Sequence, residues 1–127
     1  MKIFGIGTDI VKISRVKNSL KNNFFLNRIF SKSEISKCKK TLNNFNCFAK
    51  RFAAKEAFSK ALGTGIAKGI SFNEIIIQNE KNGKPFIRLQ GKTKKIVERK
   101  LKRKNYKIFL SIADEKNYAV AFVTISI

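Results

Sequence analysis

The chain has 127 residues, a formal net charge of +20 and no histidine. Its length suits a single domain over residues 1–127, and no apolar run approaches the roughly 20 residues that cross a bilayer, so we expect a cytoplasmic protein without a membrane segment. The absence of histidine excludes Ser-His and Cys-His nucleophiles and histidine zinc sites. An enzyme with this sequence would therefore use carboxylates, lysine or a metal.

The first half of the chain is predicted to form one strand followed by three helices. Residues 2–9 are apolar and punctuated by glycine, which favours a strand. Periodicity predicts helices over residues 13–27 and 31–39, and an asparagine-rich loop over residues 41–47 leads into a long helix. Ser31 and Glu34 have the spacing of a capping box, which gives that glutamate a structural role.

The second half is predicted to form a hairpin, a helix and two strands. Residues 70–78 and Pro85–Leu89 flank Asn82-Gly83, which is a strong hairpin signal. Residues 92–104 predict a strongly basic helix, and strands follow near residues 107–113 and 117–127. The whole pattern predicts a small α+β fold in which a largely antiparallel sheet packs on the long central helix.

The long helix has two distinct faces when residues 48–62 are projected at the helical period. The core-facing stripe consists of Phe48, Phe52, Phe58 and Leu62. A second arc carries small side chains that leave room for another segment or a ligand, at Ala49, Ala53 and Ala57. We therefore expect this helix to have neighbours on two sides.

Glu56 and Lys60 lie beside that alanine arc, one helical turn apart, so their side chains project together. On spacing alone, such a pair is more often a solvated ion pair than a catalytic one. Glycines follow at Gly63 and Gly65, where a left-handed C-cap and a close approach of a ligand to the backbone are both possible.

The other carboxylates divide into structural candidates and one candidate ligand. Glu98 lies among lysines and is predicted to pair with them on a solvated helix. Asp114 and Glu115 are expected to be polar residues at the end of a strand, without a role in a functional site. Asp9 follows an apolar strand next to a flexible backbone, which makes it a good candidate for holding a cation. Cys38 and Cys47 lack C-x-x-C spacing and are expected to be reduced and structural.

Two motifs resemble those of the holo-acyl-carrier-protein synthases, which are phosphopantetheinyl transferases. The first covers residues 5–11, with the sequence GIGTDIV, and the second covers residues 51–65, with the sequence RFAAKEAFSKALGTG. Further similarity lies in Gly83-Lys84-Pro85 and in the C-terminal segment over residues 113–119. Two ordered motifs about 40 residues apart are specific, whereas a lone Glu-Lys pair would not be.

The resemblance implies the small α+β fold of that family and a homotrimer with active sites at subunit interfaces. It implies transfer of 4'-phosphopantetheine from coenzyme A to a serine of apo acyl carrier protein for fatty acid biosynthesis. Asp9 and Glu56 would bind Mg²⁺, Glu56 would also act as general base, and Lys60 would hold a phosphate. The expected substrate-binding residues are Lys60, Gly63, Thr64, Gly65, Gly83, Lys84, Pro85 and Ser111. A plain hairpin turn explains Gly83-Lys84-Pro85 nearly as well as a nucleotide site does.

The strand before Asp114 departs from the family pattern. Family members often carry a histidine there, and the matching position in this sequence is Phe109. Any polar contact from that histidine is therefore missing, and Ser111 becomes the candidate for a substrate contact in this strand.

The positive charge has two competing explanations. Acyl carrier proteins are acidic, so a basic surface would attract them, and the resemblance places that contact at Arg15, Lys21 and Arg28. Lysine accounts for 22 of the 28 basic residues, which also fits the coding bias of an A/T-rich genome. The alternative function is a basic nucleic-acid-binding module with stacking platforms among 12 phenylalanines and two tyrosines. Because no known nucleic-acid motif is present and the aromatics fall at core positions, we expect neither a nucleic-acid nor a membrane partner.

Overall fold

The computed structural model describes residues 1–63 and 69–127, which form five strands, five α-helices and one 3₁₀ turn. The strands are β1 (Ile3–Lys12), β2 (Ile75–Asn79), β3 (Pro85–Leu89), β4 (Lys107–Asp114) and β5 (Tyr118–Ser126). The α-helices are α1 (Ile13–Ser19), α2 (Asn23–Ile29), α3 (Lys32–Lys39), α4 (Asn44–Leu62) and α5 (Gly91–Leu101). The 3₁₀ turn spans Phe72–Glu74.

Two antiparallel sheets flank the central helix α4. Strands β1, β5 and β4 form a three-stranded sheet in that order, and β2 pairs with β3 as a hairpin. The predicted antiparallel α+β architecture is confirmed. The apolar face of β5 is also confirmed, because its alternating side chains are buried at Ala119, Ala121, Val123 and Ile125.

Helix α4 lies unusually close to β1 because both elements carry small residues where they meet. A Cβ atom on Gly7 would collide with the carbonyl oxygen of Ala57 and lie 2.7 Å from the amide nitrogen of Ala61. Gly5 faces Ala61 with equally little space. The alanine arc of α4 therefore packs against the sheet, while Phe48, Phe58 and Leu62 are buried on the core-facing stripe, so the expected neighbours on two sides are present.

Five predicted boundaries are wrong. Strand β1 continues to Lys12 instead of ending at residue 9, so Asp9 lies inside the strand, and α5 ends at Leu101 instead of residue 104. The single helix expected over residues 13–27 is two helices, because the Asn22 side chain accepts hydrogen bonds from the amides of Phe24 and Phe25 and starts α2 there. The first hairpin strand begins at Ile75 instead of residue 70, since a 3₁₀ turn precedes it. Helix α4 begins at Asn44, inside the segment expected to be a loop.

The capping box is confirmed, since the side chains of Ser31 and Glu34 bond to each other's backbone amides. The expectation of two reduced thiols is wrong, because Cys38 and Cys47 form a disulfide. The turn between α3 and α4 brings the Cα atoms of the two cysteines to 5.4 Å, within the normal range for a disulfide.

Among the described residues, none of the helices combines the length and apolar character that crossing a membrane would require.

Candidate active site

Asp9, Glu56 and Lys60 come together where β1 crosses the C-terminal half of α4. The Lys60 Nζ atom donates to the carbonyl oxygen of Thr8 at 3.0 Å and to Asp9 Oδ1 at 3.2 Å. Asp9 shares the helix-facing side of β1 with Gly5 and Gly7, because side chains alternate along a strand. The close packing of β1 on α4 therefore places the acid of the first motif beside the second motif.

The electrostatics of this cluster favour an added cation. Glu56 is half-buried, and its burial raises the pKa of the carboxyl group above the ordinary value. The negative charge of Asp9 raises that pKa further, and only the Lys60 ammonium opposes the shift. Two carboxylates that repel each other in partial burial would be stabilised by a divalent ion between them.

The chemistry of these donors fits magnesium. Both side chains offer hard oxygen ligands, and Mg²⁺ usually takes one or two carboxylates while water and substrate phosphate complete its shell. Among residues 1–63 and 69–127, no three or more His, Cys, Asp or Glu side chains are grouped to hold a metal. A partial protein shell of Asp9 and Glu56 is therefore what these residues could supply.

Gly63 ends α4 in the left-handed conformation, with φ of 85°, as the sequence predicts. Its amide donates to the carbonyl oxygens of Ser59 and Lys60, so α4 ends within one turn of Lys60, the residue that bonds Asp9. Thr64 and Gly65, the other expected substrate contacts in this motif, lie outside the described residues.

Gly83 lines a second feature, a cavity of about 550 Å³ at the N-terminal half of α4. The glycine has φ of 92°, which suits the tight turn between β2 and β3, and Lys84 and Pro85 lead into β3. Three lysines and an arginine line this cavity, at Lys37, Lys50, Lys81 and Arg51, together with two carboxylates, at Glu80 and Asp114. Lys84 and Pro85 are not among its lining residues. The predicted hairpin is confirmed, and it borders a largely basic cavity.

Arg51 is a candidate binding residue that sequence reasoning missed. Its side chain is only 6% exposed; Nη1 donates to the carbonyl oxygen of Cys47 at 3.4 Å, and Nη2 donates to Asn79 Oδ1 at 3.1 Å. Its Nε atom is buried without a hydrogen-bond partner among the described residues. A guanidinium that lines a cavity is suited to an anionic ligand, because it presents several donors in a fixed geometry. The signal was available, because Arg51 opens the second motif.

The cavity and the Asp9–Glu56–Lys60 cluster lie on different sides of α4. Arg51 and Glu56 are five residues apart, which is about 140° of rotation and about 7.5 Å along the helix axis. Asp9, Glu56 and Lys60 do not contribute to the cavity lining. Within one protomer, the two features are therefore separate.

The structure does not bring Ser111 to the carboxylate cluster. In the sheet, Asp9 pairs with Ala121 of β5, and Ala121 pairs in turn with Ile112 of β4, so Ser111 lies two strands away from Asp9. Ser111 is on the exposed face of β4, together with Phe109, and this face is opposite α4. Any contact between Ser111 and a substrate at Asp9 would have to involve a different copy of the chain.

The three basic residues expected to contact a partner are all exposed, on or next to the first two helices. Arg15 is on α1, Lys21 is in the link after it and Arg28 is on α2, and all three are exposed. The guanidinium of Arg28 lies 5.9 Å from the ring centre of Phe24, which is itself 71% exposed. The region around Arg28 therefore combines positive charge with an exposed aromatic ring.

The chain belongs to the 4'-phosphopantetheinyl transferase superfamily, whose family model matches residues 5–123. It is 51% identical over 123 residues to the holo-[acyl-carrier-protein] synthase of Pelagibacter ubique, covering 97% of this chain and 96% of the relative. The crystal structure of the Neisseria meningitidis holo-[acyl-carrier-protein] synthase has a TM-score of 0.84 at 37% identity, covering 98% of both chains.

A second solved structure adds a ligand to the comparison. The Helicobacter pylori holo-[acyl-carrier-protein] synthase in complex with coenzyme A has a TM-score of 0.78 at 35% identity, covering 95% of this chain and 99% of that one. The resemblance found in the sequence and the fold that it implied are both confirmed.

Proposed function

We propose that this protein transfers 4'-phosphopantetheine from coenzyme A to a serine of apo acyl carrier protein and releases adenosine 3',5'-bisphosphate. The observation that carries the proposal is the meeting of Asp9, Glu56 and Lys60, which come from two motifs far apart in the chain. The names of the relatives and the coenzyme A in one related structure support the choice of both substrates.

The chemistry requires a proton acceptor and a charge stabiliser. The serine oxygen forms a bond to the phosphorus that carries pantetheine, the pyrophosphate linkage breaks, and the electron pair leaves with adenosine 3',5'-bisphosphate. Glu56 accepts the serine proton, because its raised pKa makes it a stronger base than an ordinary glutamate. Lys60, held by Asp9 and the Thr8 carbonyl oxygen, stabilises negative charge on the phosphate with its remaining N–H group.

Asp9 and Glu56 would hold a magnesium ion, which would supply further positive charge at the pyrophosphate. Asp9 also orients Lys60 through their 3.2 Å contact. The basic cavity beside Gly83, Lys84 and Pro85 is the proposed site of the nucleotide end of coenzyme A, because Arg51 and the surrounding lysines suit its phosphates.

We infer that coenzyme A reaches both the Asp9–Glu56–Lys60 cluster and the basic cavity only when it binds between two copies of the chain, in a homotrimer. The face of the three-stranded sheet opposite α4 supports this assembly, since apolar side chains there are 38–66% exposed at Ile6, Ile10, Phe109, Tyr118, Val120 and Phe122. No described segment of the same chain covers that face. A contiguous apolar face of this kind is typical of an interface between subunits.

The exposed surface formed by Arg15, Lys21 and Arg28 is the proposed docking site of the acidic carrier protein. Opposite charges would accelerate the encounter and orient the carrier, and Phe24 could add apolar contact. Reversing one of these charges should raise the KM for carrier protein and leave the KM for coenzyme A unchanged.

Chromatography of the released adenosine 3',5'-bisphosphate tests the proposed chemistry. We expect release only when coenzyme A, apo carrier protein and Mg²⁺ are all present, and we expect Lys60→Ala to reduce the rate severely while the protein stays folded. Lys116→Ala removes an exposed lysine outside the proposed site and serves as the control. Equal rates for both variants would remove Lys60 from the mechanism.

A further inference from the structure

Lys55 and Glu34 form an ion pair that is almost completely removed from solvent. The side chain of Lys55 is 0% exposed and that of Glu34 is 1% exposed, and Lys55 Nζ lies 2.7 Å from Glu34 Oε1. Lys55 Nζ also donates to the carbonyl oxygens of Phe72 at 2.8 Å and Ile75 at 2.6 Å. All three ammonium donors are therefore used.

The Glu34 carboxylate is equally well bonded. Its Oε1 atom accepts from the Ser31 amide at 2.9 Å, and its Oε2 atom accepts from the Ile77 amide at 3.0 Å. The pair thus joins the start of α3, the middle of α4, and the segment that runs from the 3₁₀ turn into β2. Five directional bonds fix these segments relative to one another.

Along the axis of α4, the Glu34–Lys55 pair lies between the carboxylate cluster and the basic cavity of the proposed site. Lys55 directly precedes Glu56 on α4, so it fixes the helix next to the carboxylate cluster. On the other side, β2 continues from Ile77 to Asn79, which receives the hydrogen bond from Arg51 at the basic cavity. Lys55 and Arg51 are one helical turn apart on the face of α4 that meets the hairpin.

Stability alone is a weak explanation for this arrangement. Buried ion pairs pay a large desolvation cost, and well-packed apolar residues of similar volume often give equal or greater stability. Apolar contacts lack the direction that hydrogen bonds provide, so such a replacement would leave the hairpin free to shift against α4. An orienting role explains why charge would be retained at this buried position.

We propose that Glu34 and Lys55 are positioning residues that hold the β2–β3 hairpin in register against α4, so that the basic cavity has the correct shape for the nucleotide end of coenzyme A. The proposal rests on the proposed function. It assigns to these residues an effect on coenzyme A binding, and no contact with either substrate.

The test compares the Glu34→Leu/Lys55→Met double variant with the wild type. We expect a lower melting temperature, because the Ser31 and Ile77 amides and the Phe72 and Ile75 carbonyl oxygens lose their partners. We also expect a dissociation constant for coenzyme A raised about tenfold by calorimetry and an unchanged KM for carrier protein. Val97→Ala, which empties space under α5, is the matched control, because it should lower the melting temperature and leave coenzyme A affinity unchanged.

Lys55→Arg provides a second variant that keeps the charge and alters the geometry, and it decides the question if the double variant fails to fold. A raised dissociation constant in that variant supports positioning, whereas wild-type affinity in a folded variant overturns it. Transfer by the wild type is measured in parallel. A wild type that binds coenzyme A without transferring it contradicts the proposed function alone, and a wild type that does not bind coenzyme A contradicts both proposals.

Discussion

Replacing Gly7 by alanine should separate β1 from α4 and disrupt the Asp9–Glu56–Lys60 cluster. The new Cβ atom would lie 2.7 Å from the Ala61 amide nitrogen and 3.0 Å from the Ala57 carbonyl carbon, in addition to its collision with the Ala57 oxygen. Ordinary contacts need about 3.5 Å, so the strand and the helix have to move apart by at least about 1 Å to relieve the collision with the oxygen.

That displacement is large enough to break the hydrogen bond between Lys60 and Asp9. Asp9 is two residues from Gly7 on the same face of β1, and its contact with Lys60 is 3.2 Å. Adding about 1 Å would take this contact beyond hydrogen-bonding distance. We expect overpacking to cost about 1–3 kcal/mol of unfolding free energy. We expect kcat/KM for transfer to fall about 100-fold, since errors of this size are costly at reacting groups.

Urea unfolding and steady-state transfer kinetics measure the two effects separately. Val97→Ala is the control, because it should lower stability by about 2 kcal/mol at a site in α5 without changing kcat/KM more than about twofold. If Gly7→Ala is destabilised like the control but keeps wild-type kcat/KM, the close approach of β1 to α4 does not set the geometry of the cluster, and the reasoning is refuted.

Three further predictions concern the metal, the subunit interface and the disulfide. Because the pKa of Glu56 is raised, protons should compete with Mg²⁺ from a higher pH than for an ordinary glutamate, and calorimetry should show the Mg²⁺ affinity falling as pH decreases. Glu56→Gln should bind Mg²⁺ more weakly and should lose this fall at the higher pH, because Asp9 is then the remaining carboxylate ligand. Glu56→Gln and Arg51→Ala homotrimers should each transfer slowly. Refolding the two variants together should restore activity, because some interfaces then combine an intact carboxylate cluster from one copy with an intact basic cavity from another. No recovery would contradict an active site shared between two copies. Reducing the disulfide that closes the loop between Cys38 and Cys47 should lower the unfolding free energy by about 2.5 kcal/mol in urea titrations, with no such change in a Cys38→Ser/Cys47→Ser variant.

Much of the site could be predicted because its residues lie in local patterns. The one-turn spacing of Glu56 and Lys60 follows from helical geometry. Asp9 stood out as an acid beside apolar and glycine residues, although it lies within β1 and not after it. The glycines of the first motif and the alanines of α4 indicated that another segment could approach closely there. The specific contact of Gly7 with Ala57 needed the three-dimensional packing, since the two residues are 50 positions apart.

The features that sequence reasoning missed depend on tertiary neighbours. The disulfide forms because the turn between α3 and α4 closes, and nothing in the spacing of Cys38 and Cys47 indicates that closure. Glu34 was correctly assigned to a capping box, but its bond to Lys55 joins residues 21 positions apart. The break at Asn22 could have been predicted, because asparagine is a preferred N-cap residue.

Intact mass spectrometry of an apo acyl carrier protein tests the central claim most directly. The carrier is incubated with this protein and coenzyme A, with Mg²⁺ in one sample and EDTA in a second. We predict the gain of one phosphopantetheinyl group with Mg²⁺, an unchanged mass with EDTA, and a much slower gain with Glu56→Gln. An unchanged carrier mass in the Mg²⁺ sample, with folded protein and a carrier that a related synthase modifies, would contradict the account.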